Sequence, residues 1–427
     1  VFFIGINAFH ETLDPAAAAI LNSPSIVRPK DNAYYYWVGM STSAQNNPLE
    51  IGRRCVQAQQ NLGASGDYNK PNEVAECAEQ GGLKSSDNRL LACEWRKTPC
   101  LKYYLDRHAL IEKLAAENQP WQQRYAHLLA FQQFEDSRPF PVSALITQGL
   151  QSNLYQAISA LSLERGDDAT FIHRTQAETR FYRMILKGET SLISKMIAAA
   201  RLERSARLVS DVVAMFPQVA QKHQAALLEI VQPMSISERS LRKAFEAEFR
   251  YTTFLLRSIY ARPPSSDTSL SLERLYYSLI YKRNATKNSY FQNVSVWSNL
   301  SELPPEQYLD AEQAGIEQLN PLRDGYVHLL YNPVGKILAG ISATAHEGFP
   351  KRMIDTDGLL RLVSLQIKIA AMKIPEVDIP PFLARADKQL RDPYTAKPMQ
   401  WDKSRGVYFQ GHGNRAADKD GFISVKL

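Results

Sequence analysis

The chain has 427 residues, of which 44% are hydrophobic and 22% charged, so it is predicted to fold rather than to stay disordered. Its 50 basic and 44 acidic side chains leave a net charge of +6 without any run of five like charges, which argues against nucleic acid as a partner. No apolar stretch reaches the roughly 18 residues that a membrane-spanning helix needs.

The N-terminal region, residues 1–100, has an irregular pattern. It begins with the apolar run Val1-Phe2-Phe3-Ile4 and has no initiator Met. This run is either the remnant of a signal peptide or membrane anchor preceding Val1, or a short buried strand. Short helices are predicted at residues 15–21 and 51–62.

All four cysteines, Cys55, Cys77, Cys93 and Cys100, lie within one short, turn-rich region. Their irregular spacings contain no C-x-x-C pair and no matching His, so they favour two disulfides over free thiols or a zinc site. The pairing is left open. Disulfides would place the chain in an oxidising compartment.

From residue 101 the apolar residues recur every 3.6 positions, which is typical of amphipathic helices. Short Gly- and Pro-containing connections predict antiparallel helical hairpins, arranged as a bundle or as an irregular α-solenoid, since no fixed repeat is found. The predicted helices cover residues 101–114, 121–131, 142–163, 168–186, 190–216 and 219–231, followed by one that starts near Ser237 and Ser240.

Residues 261–303 are predicted to interrupt this helical pattern. Pro263 and Pro264 are followed by a Tyr-rich helix around Tyr276, Tyr277 and Tyr281, and then by a polar Asn- and Ser-rich stretch. Helices are predicted to resume at residues 304–319, 333–344 and 356–374. The last begins at an acidic triplet, Asp355, Thr356 and Asp357, which suits the positive end of a helix.

The C-terminal tail is predicted to contain short strands at residues 398–401, 406–410 and 422–427. Its Asp392-Pro393-Tyr394 sequence, with Pro398 following, resembles the Asp-Pro-aromatic-x-x-x-Pro module that closes type II secretion pseudopilins. It also resembles the tails of uncharacterised helical proteins of the bacterial cell envelope. The resemblance covers about 40 of the 427 residues and implies a small antiparallel sheet and an envelope location. The long N-terminal pilin helix is missing here.

Within the tail, two short motifs resemble ligand-binding loops. Gly411 to Ala416 has the letters of a dinucleotide fingerprint, but no helix is predicted after it to hold a pyrophosphate, so a polar loop is preferred. Asp418 and Asp420 match the first half of a calcium loop that lacks both terminal carboxylates. We therefore predict no cofactor and no metal.

Three further groups were weighed as site residues. Glu246 and Glu248 lie two apart on a helix, and Glu246 is predicted to pair with Arg250 at the surface instead of serving as one of two catalytic acids. His346 is read as an ordinary loop residue. The aromatic run that begins at Tyr34 is predicted to fill the core.

We therefore expect a mainly α protein with a small C-terminal antiparallel sheet. Its four parts are an irregular cysteine-containing region (1–100), a helical hairpin domain (101–262), a second helical part (263–390) and a β tail (391–427) packed on the helices. The expected function is a non-catalytic scaffold or protein-interaction module, periplasmic or anchored in the inner membrane, with a protein partner in the envelope. The alternative is an envelope hydrolase, such as a cell-wall enzyme, whose site is assembled only in three dimensions.

Overall fold

The computed structural model describes residues 2–24, 27–65, 91–136, 149–260, 279–323, 330–413 and 420–427. Among them helices dominate, and a three-stranded antiparallel sheet lies at the C-terminus, which confirms the predicted fold class. Several sequence predictions lie outside the described residues: residues 142–148, Cys77, Pro263, Pro264, Tyr276, Tyr277, Asn414, Arg415, Ala416 and Asp418.

The first half of the described helices runs from the N-terminus to the middle of the chain. In chain order they are α1 (Phe2–Asn7), α2 (Pro15–Asn22), α3 (Ala33–Gly39), α4 (Pro48–Ser65), α5 (Cys100–Leu105), α6 (His108–Glu117), α7 (Gln119–Leu128), α8 (Gly149–Glu164) and α9 (Asp168–Lys187).

The second half carries the longest helix and ends before the sheet. These helices are α10 (Leu192–Met215), α11 (Pro217–Ile230), α12 (Ile236–Arg239), α13 (Arg242–Tyr260), α14 (Arg283–Glu302), α15 (Tyr308–Arg323), α16 (Pro333–Ala345), α17 (Phe349–Ala371) and α18 (Ile379–Ala384).

Helix α17 lies in the core, since nearly all of its residues between Met353 and Ile367 are buried, including the polar residues Asp355, Asp357 and Gln366. Leu359, Leu362 and Ile367 are each at most 1% exposed although they point in different directions around the helix. Helix α17 packs against α10, α11 and the C-terminal sheet. The hydrophobic cluster around it includes residues from Ala17 to Val425.

Side-chain caps start the long helices α9 and α10. Asp167 accepts a hydrogen bond from the backbone N–H of Thr170 (3.0 Å), and Ser191 accepts one from that of Ser194 (3.2 Å). Each cap satisfies a donor that the first helical turn leaves unpaired. Consecutive helices α9, α10 and α11 are joined by short connections and pack on one another, as the hairpin pattern predicts.

The C-terminal sheet has the order β1 (Gln400–Asp402), β2 (Gly406–Gln410) and β3 (Phe422–Val425), close to the predicted strands. The register places Phe409 opposite Ile423 and Val407 opposite Val425. All four side chains are buried, so alternation along each strand turns one face of the sheet toward the helices. Strands β2 and β3 both contact α17.

The acidic triplet is not a helix start, contrary to the sequence prediction. Helix α17 begins at Phe349, with Pro350 in its first turn. The carboxylates of the triplet instead bind backbone N–H groups of other segments. Asp357 accepts from Met234 (2.7 Å), and Asp355 accepts from Gly413 (2.7 Å). The triplet therefore holds a loop and the tail against the middle of the helix.

The predicted polar break is also wrong, because residues 283–302 form the 20-residue helix α14. Val294 and Trp297 are 2% and 1% exposed and anchor one side of this helix, which packs against α13, α15 and α16. Burial of that side outweighs the weak helix propensity of Asn and Ser. Among its polar residues Gln292 and Asn299 are exposed, whereas Asn293 and Ser298 are buried.

Residues Phe2–Asn7 form a helix, α1, so the alternative of a short N-terminal strand is wrong. Asn7 at its end is 1% exposed and donates from Nδ2 to the carbonyl oxygen of Leu330 (2.6 Å). Its Oδ1 accepts from the backbone N–H of Asn332 (3.1 Å). These two bonds tie the N-terminal segment to the start of α16.

Candidate functional site

A groove of about 1030 Å³ runs along α14. Helix α14 contributes its floor, α15 forms one wall, and the non-helical segment 9–14 with Pro15 forms the other. Its volume lies at the upper end of the range for ligand sites.

A stripe of uncharged polar side chains covers the groove side of α14. It consists of Asn288, Gln292, Ser295 and Asn299, which recur at steps of four, three and four residues and so lie on one face. The same stripe extends back by one turn to Asn284. Each side-chain amide both donates and accepts a hydrogen bond, as a backbone peptide group does.

The first part of this stripe holds the segment 11–14. Asn284 Nδ2 donates to the carbonyl oxygen of Glu11 (3.0 Å), and Asn288 Nδ2 donates to that of Thr12 (3.0 Å). Asn288 Oδ1 accepts from the backbone N–H of Asp14 (2.9 Å). Two asparagine side chains therefore bind the main chain of a neighbouring segment.

The α15 wall is made of small residues, Ala311, Ala314 and Gly315, followed by Gln318. A Cβ atom on Gly315 would lie 2.8 Å from Leu300 Cδ1, so the glycine lets α15 approach α14 without displacing the Leu300 side chain. Ala314 is exposed in the groove. The wall is consequently low, and the groove stays open along its length.

The charged residues that line the groove, among those the structure describes, are Glu11 and Asp14. Asp14 caps α2 by accepting from the N–H of Ala16 (2.7 Å), and Glu11 Oε2 accepts from Asn288 Nδ2 (3.1 Å). Both carboxylates thus have structural hydrogen bonds and still make this end of the groove acidic. In the described part of the chain, no group of three or more His, Cys, Asp or Glu is placed to hold a metal ion.

Comparisons with known proteins offer no family to start from. No protein-family model, curated protein or solved structure matches this chain. The function is therefore inferred from the chemistry of the groove and of the other candidate groups.

The cysteine cluster contains the disulfide Cys93–Cys100. Arg96, inside the loop that this disulfide closes, binds Glu203 of α10 through Nε (3.3 Å) and Nη2 (2.9 Å). Cys55 is also disulfide-bonded. The disulfide Cys93–Cys100 therefore closes a loop that is fixed to the helical body.

The sequence context of His346 suggested an open loop, but the structure places this residue in the interior. It follows α16 directly and is 5% exposed, with ring centroids 5.1 Å from Phe245 and 6.5 Å from both Tyr290 and Phe349. Burial lowers the pKa of its imidazole to about 4. A neutral histidine enclosed by aromatic rings belongs to the core and cannot reach the groove as a proton shuttle.

The predicted surface ion pair between Glu246 and Arg250 is wrong. Arg250 Nε donates to the carbonyl oxygen of Ile20 (3.0 Å), at the C-terminal end of α2, and so holds α2 against α13. Glu248 is partly buried, and burial raises its pKa to about 6. The two acids are not brought together at any cleft that the described residues form.

The remaining sequence candidates have structural roles. Trp37 is buried beside Phe134 and Phe181, which confirms that the aromatic run fills the core. Asp420 pairs with Arg405 (2.8 Å). Gly413 packs on Asp355, so the described part of the glycine-containing loop is a docking contact.

A buried polar network in the helical body was not predicted from the sequence. Glu178 is 1% exposed and accepts from Tyr125 (2.8 Å), Ser152 (2.6 Å) and Gln156 (2.7 Å). Its donors come from two other helices, Tyr125 from α7 and both Ser152 and Gln156 from α8, so no local pattern reveals it. The carboxylate is fully enclosed by its partners, which is the mark of a core contact rather than of a reactive group.

Proposed function

We propose that the chain is a non-catalytic protein-interaction module of the bacterial cell envelope, and that the groove along α14 binds its partner. The observation that supports this most is the groove itself, which is open, lined by uncharged amides, hydroxyls and apolar side chains, and bordered on one side by small residues. Its two carboxylates are held by a helix cap and by Asn288, so neither is positioned as a catalytic acid.

The envelope location is supported by two features of the chain. Disulfides persist in oxidising compartments, and Cys93 and Cys100 form one. The C-terminal tail forms the small sheet that its resemblance to envelope proteins implies. In the part of the chain that the structure describes, no helix is both long and apolar enough to span a bilayer.

Two matched variants of α15 test the binding role. Ala314→Trp places a large side chain in the groove, whereas Gln313→Trp places it on an exposed position of the same helix that does not line the groove. After chemical cross-linking in the envelope, we expect a discrete partner complex with the wild type and with Gln313→Trp, but not with Ala314→Trp. Complexes that are the same for all three proteins would contradict the proposal.

The hydrolase alternative makes a different prediction. Purified protein incubated with isolated cell-wall polymer should release no soluble fragments above a heat-denatured control. Release that Glu11→Gln or Asp14→Asn abolishes, while the variant keeps the melting temperature of the wild type, would replace the binding role with an enzymatic one.

A further inference from the structure

We propose that the groove binds an extended polypeptide segment of the partner, and that the amide stripe of α14 recognises its main chain. This inference rests on the proposed function, since it specifies what the groove of the interaction module holds. It concerns the part of the stripe beyond Asn288, formed by Gln292, Ser295 and Asn299.

The chain itself shows how this helix face binds a main chain. The segment 11–14 lies along the first turns of α14 without secondary structure of its own. Its backbone is held by Asn284 and Asn288 through three hydrogen bonds of 2.9–3.0 Å, and none of the three involves a side chain of the segment. Asn288 Nδ2 also donates to the Glu11 side chain (3.1 Å), so three of the four hydrogen bonds are independent of the sequence of the segment.

The same chemistry continues past that segment. Gln292 and Asn299 supply further side-chain amides, one and about three turns after Asn288, and both are exposed. Arg242 Nη2 donates to Asn299 Oδ1 (3.0 Å), which fixes the orientation of that amide. From Asn288 to Asn299 the helix rises about 16 Å, a distance that about five extended residues cover.

The walls limit which side chains the segment carries. Ala314 and Gly315 leave a shallow wall that small side chains fit. Glu11 and Asp14 make one end acidic, and among the described residues no basic side chain lines the groove. Charge complementarity therefore favours a segment with Lys or Arg at the end next to Glu11.

A helical partner fits the groove less well. A helix binds in a groove through apolar anchors at positions three and four residues apart, whereas Val296 and Leu300 of this floor are only 7% exposed and the amides of Gln292 and Asn299 are exposed. An oligosaccharide would also use amides, together with the ring of Phe9, which is 66% exposed at the rim. The clamped segment 11–14 favours the polypeptide over the sugar, because three of its four hydrogen bonds to these asparagines are made by backbone groups.

A displayed library of random peptides of about 12 residues is the probe for this inference. Peptides that bind Ala314→Trp are first removed, and the remainder are selected for binding to the wild-type protein. One selected peptide is then synthesised with and without N-methyl groups on alternate backbone amides. We expect N-methylation, Gln292→Leu and Asn299→Leu each to weaken binding about tenfold, with Gln313→Leu as the unaffected control.

Three results would overturn the extended-peptide inference: no peptide survives the Ala314→Trp removal, the survivors are amphipathic helices, or N-methylation leaves the affinity unchanged. Binding of neutral oligosaccharides in the groove, blocked by Ala314→Trp, would also overturn it. If such a result occurs while the groove-dependent partner complex still forms in the envelope, the proposed function holds and only the extended segment is wrong. If that complex is also missing, both fail.

Discussion

Buried carboxyl groups in this protein differ in how many hydrogen-bond donors offset the cost of their burial. Glu178 is surrounded by three donors from two neighbouring helices. Glu248 and Asp211 are less well compensated, and burial raises the pKa of each to about 6. Since burial penalises the charged form, these two groups couple folding to pH.

Glu248 should make the protein more stable as the pH falls from about 6 to about 4.5. Its folded pKa of about 6 lies above its ordinary value of 4.5, so the folded state binds the proton more tightly across that window. Glu248→Gln removes this effect. Thermal unfolding should show the melting temperature of the wild type rising relative to that of the variant as the pH falls from about 6 to about 4.5. Near neutral pH the variant should have the higher melting temperature.

The exposed residue Glu317 offers a control, because Glu317→Gln should leave the pH dependence unchanged. A wild type that loses stability relative to Glu248→Gln as the pH falls through this window would show that burial of Glu248 has the opposite effect.

Helices α10 and α14 show which elements a sequence pattern predicts. Helix α10 was predicted within two residues at its start and one at its end, because its apolar stripe is long and regular. Helix α14 was predicted as a break, because Asn, Ser and Thr side chains compete for backbone hydrogen bonds. The apolar spacing of Val294, Trp297 and Leu300 was the available signal for it.

The candidate site was not predictable in the same way. Asn284 binds a residue 273 positions earlier in the chain, and no local pattern marks such a pairing. The tail strands were predicted because alternation is itself local. Their docking partner, the middle of α17, was mistaken for a helix start because acidic residues also favour helix N-termini.

Gly358 of α17 is the position at which the tail docks most closely. A Cβ atom there would lie 2.2 Å from Phe409 Cζ in strand β2. Gly358→Ala should therefore displace Phe409, lower the free energy of unfolding by about 2 kcal/mol and expose the tail to limited proteolysis. Both effects are measured against the wild type.

Gly348→Ala is the matched control, because the nearest atom to a Cβ at that position is 3.8 Å away on the flexible side chain of Arg352. Equal melting temperatures and equal tail cleavage for the two variants would show that the sheet is not held by this contact.

At the scale of the whole molecule, covalent and non-covalent contacts fix peripheral segments to the helical body. The Cys93–Cys100 loop is bound to α10 by Arg96, the N-terminal segment to α14 by asparagines, and the tail to α17 by Asp355. The groove lies between one such segment and the body, so its shape depends on the segment staying in place.

Removal of the Cys93–Cys100 disulfide should destabilise the protein without changing its helix content. Closing a loop of this size restricts the unfolded chain, so Cys93→Ser combined with Cys100→Ser should lower the free energy of unfolding by about 2 kcal/mol. In protein isolated from the envelope under thiol-blocking conditions, mass spectrometry should find no alkylated cysteine. Four alkylated thiols would remove the basis for an oxidising compartment.

Site-specific photo-cross-linking in living cells tests the central claim, that the groove binds a partner polypeptide, most directly. One probe replaces Gln292 on the groove floor, and a control probe replaces the exposed residue Lys222 on α11. We expect the Gln292 probe to form one discrete polypeptide adduct that the Lys222 probe lacks and that Ala314→Trp abolishes. Identical adduct patterns at the two positions, or no polypeptide adduct at Gln292, would contradict the account.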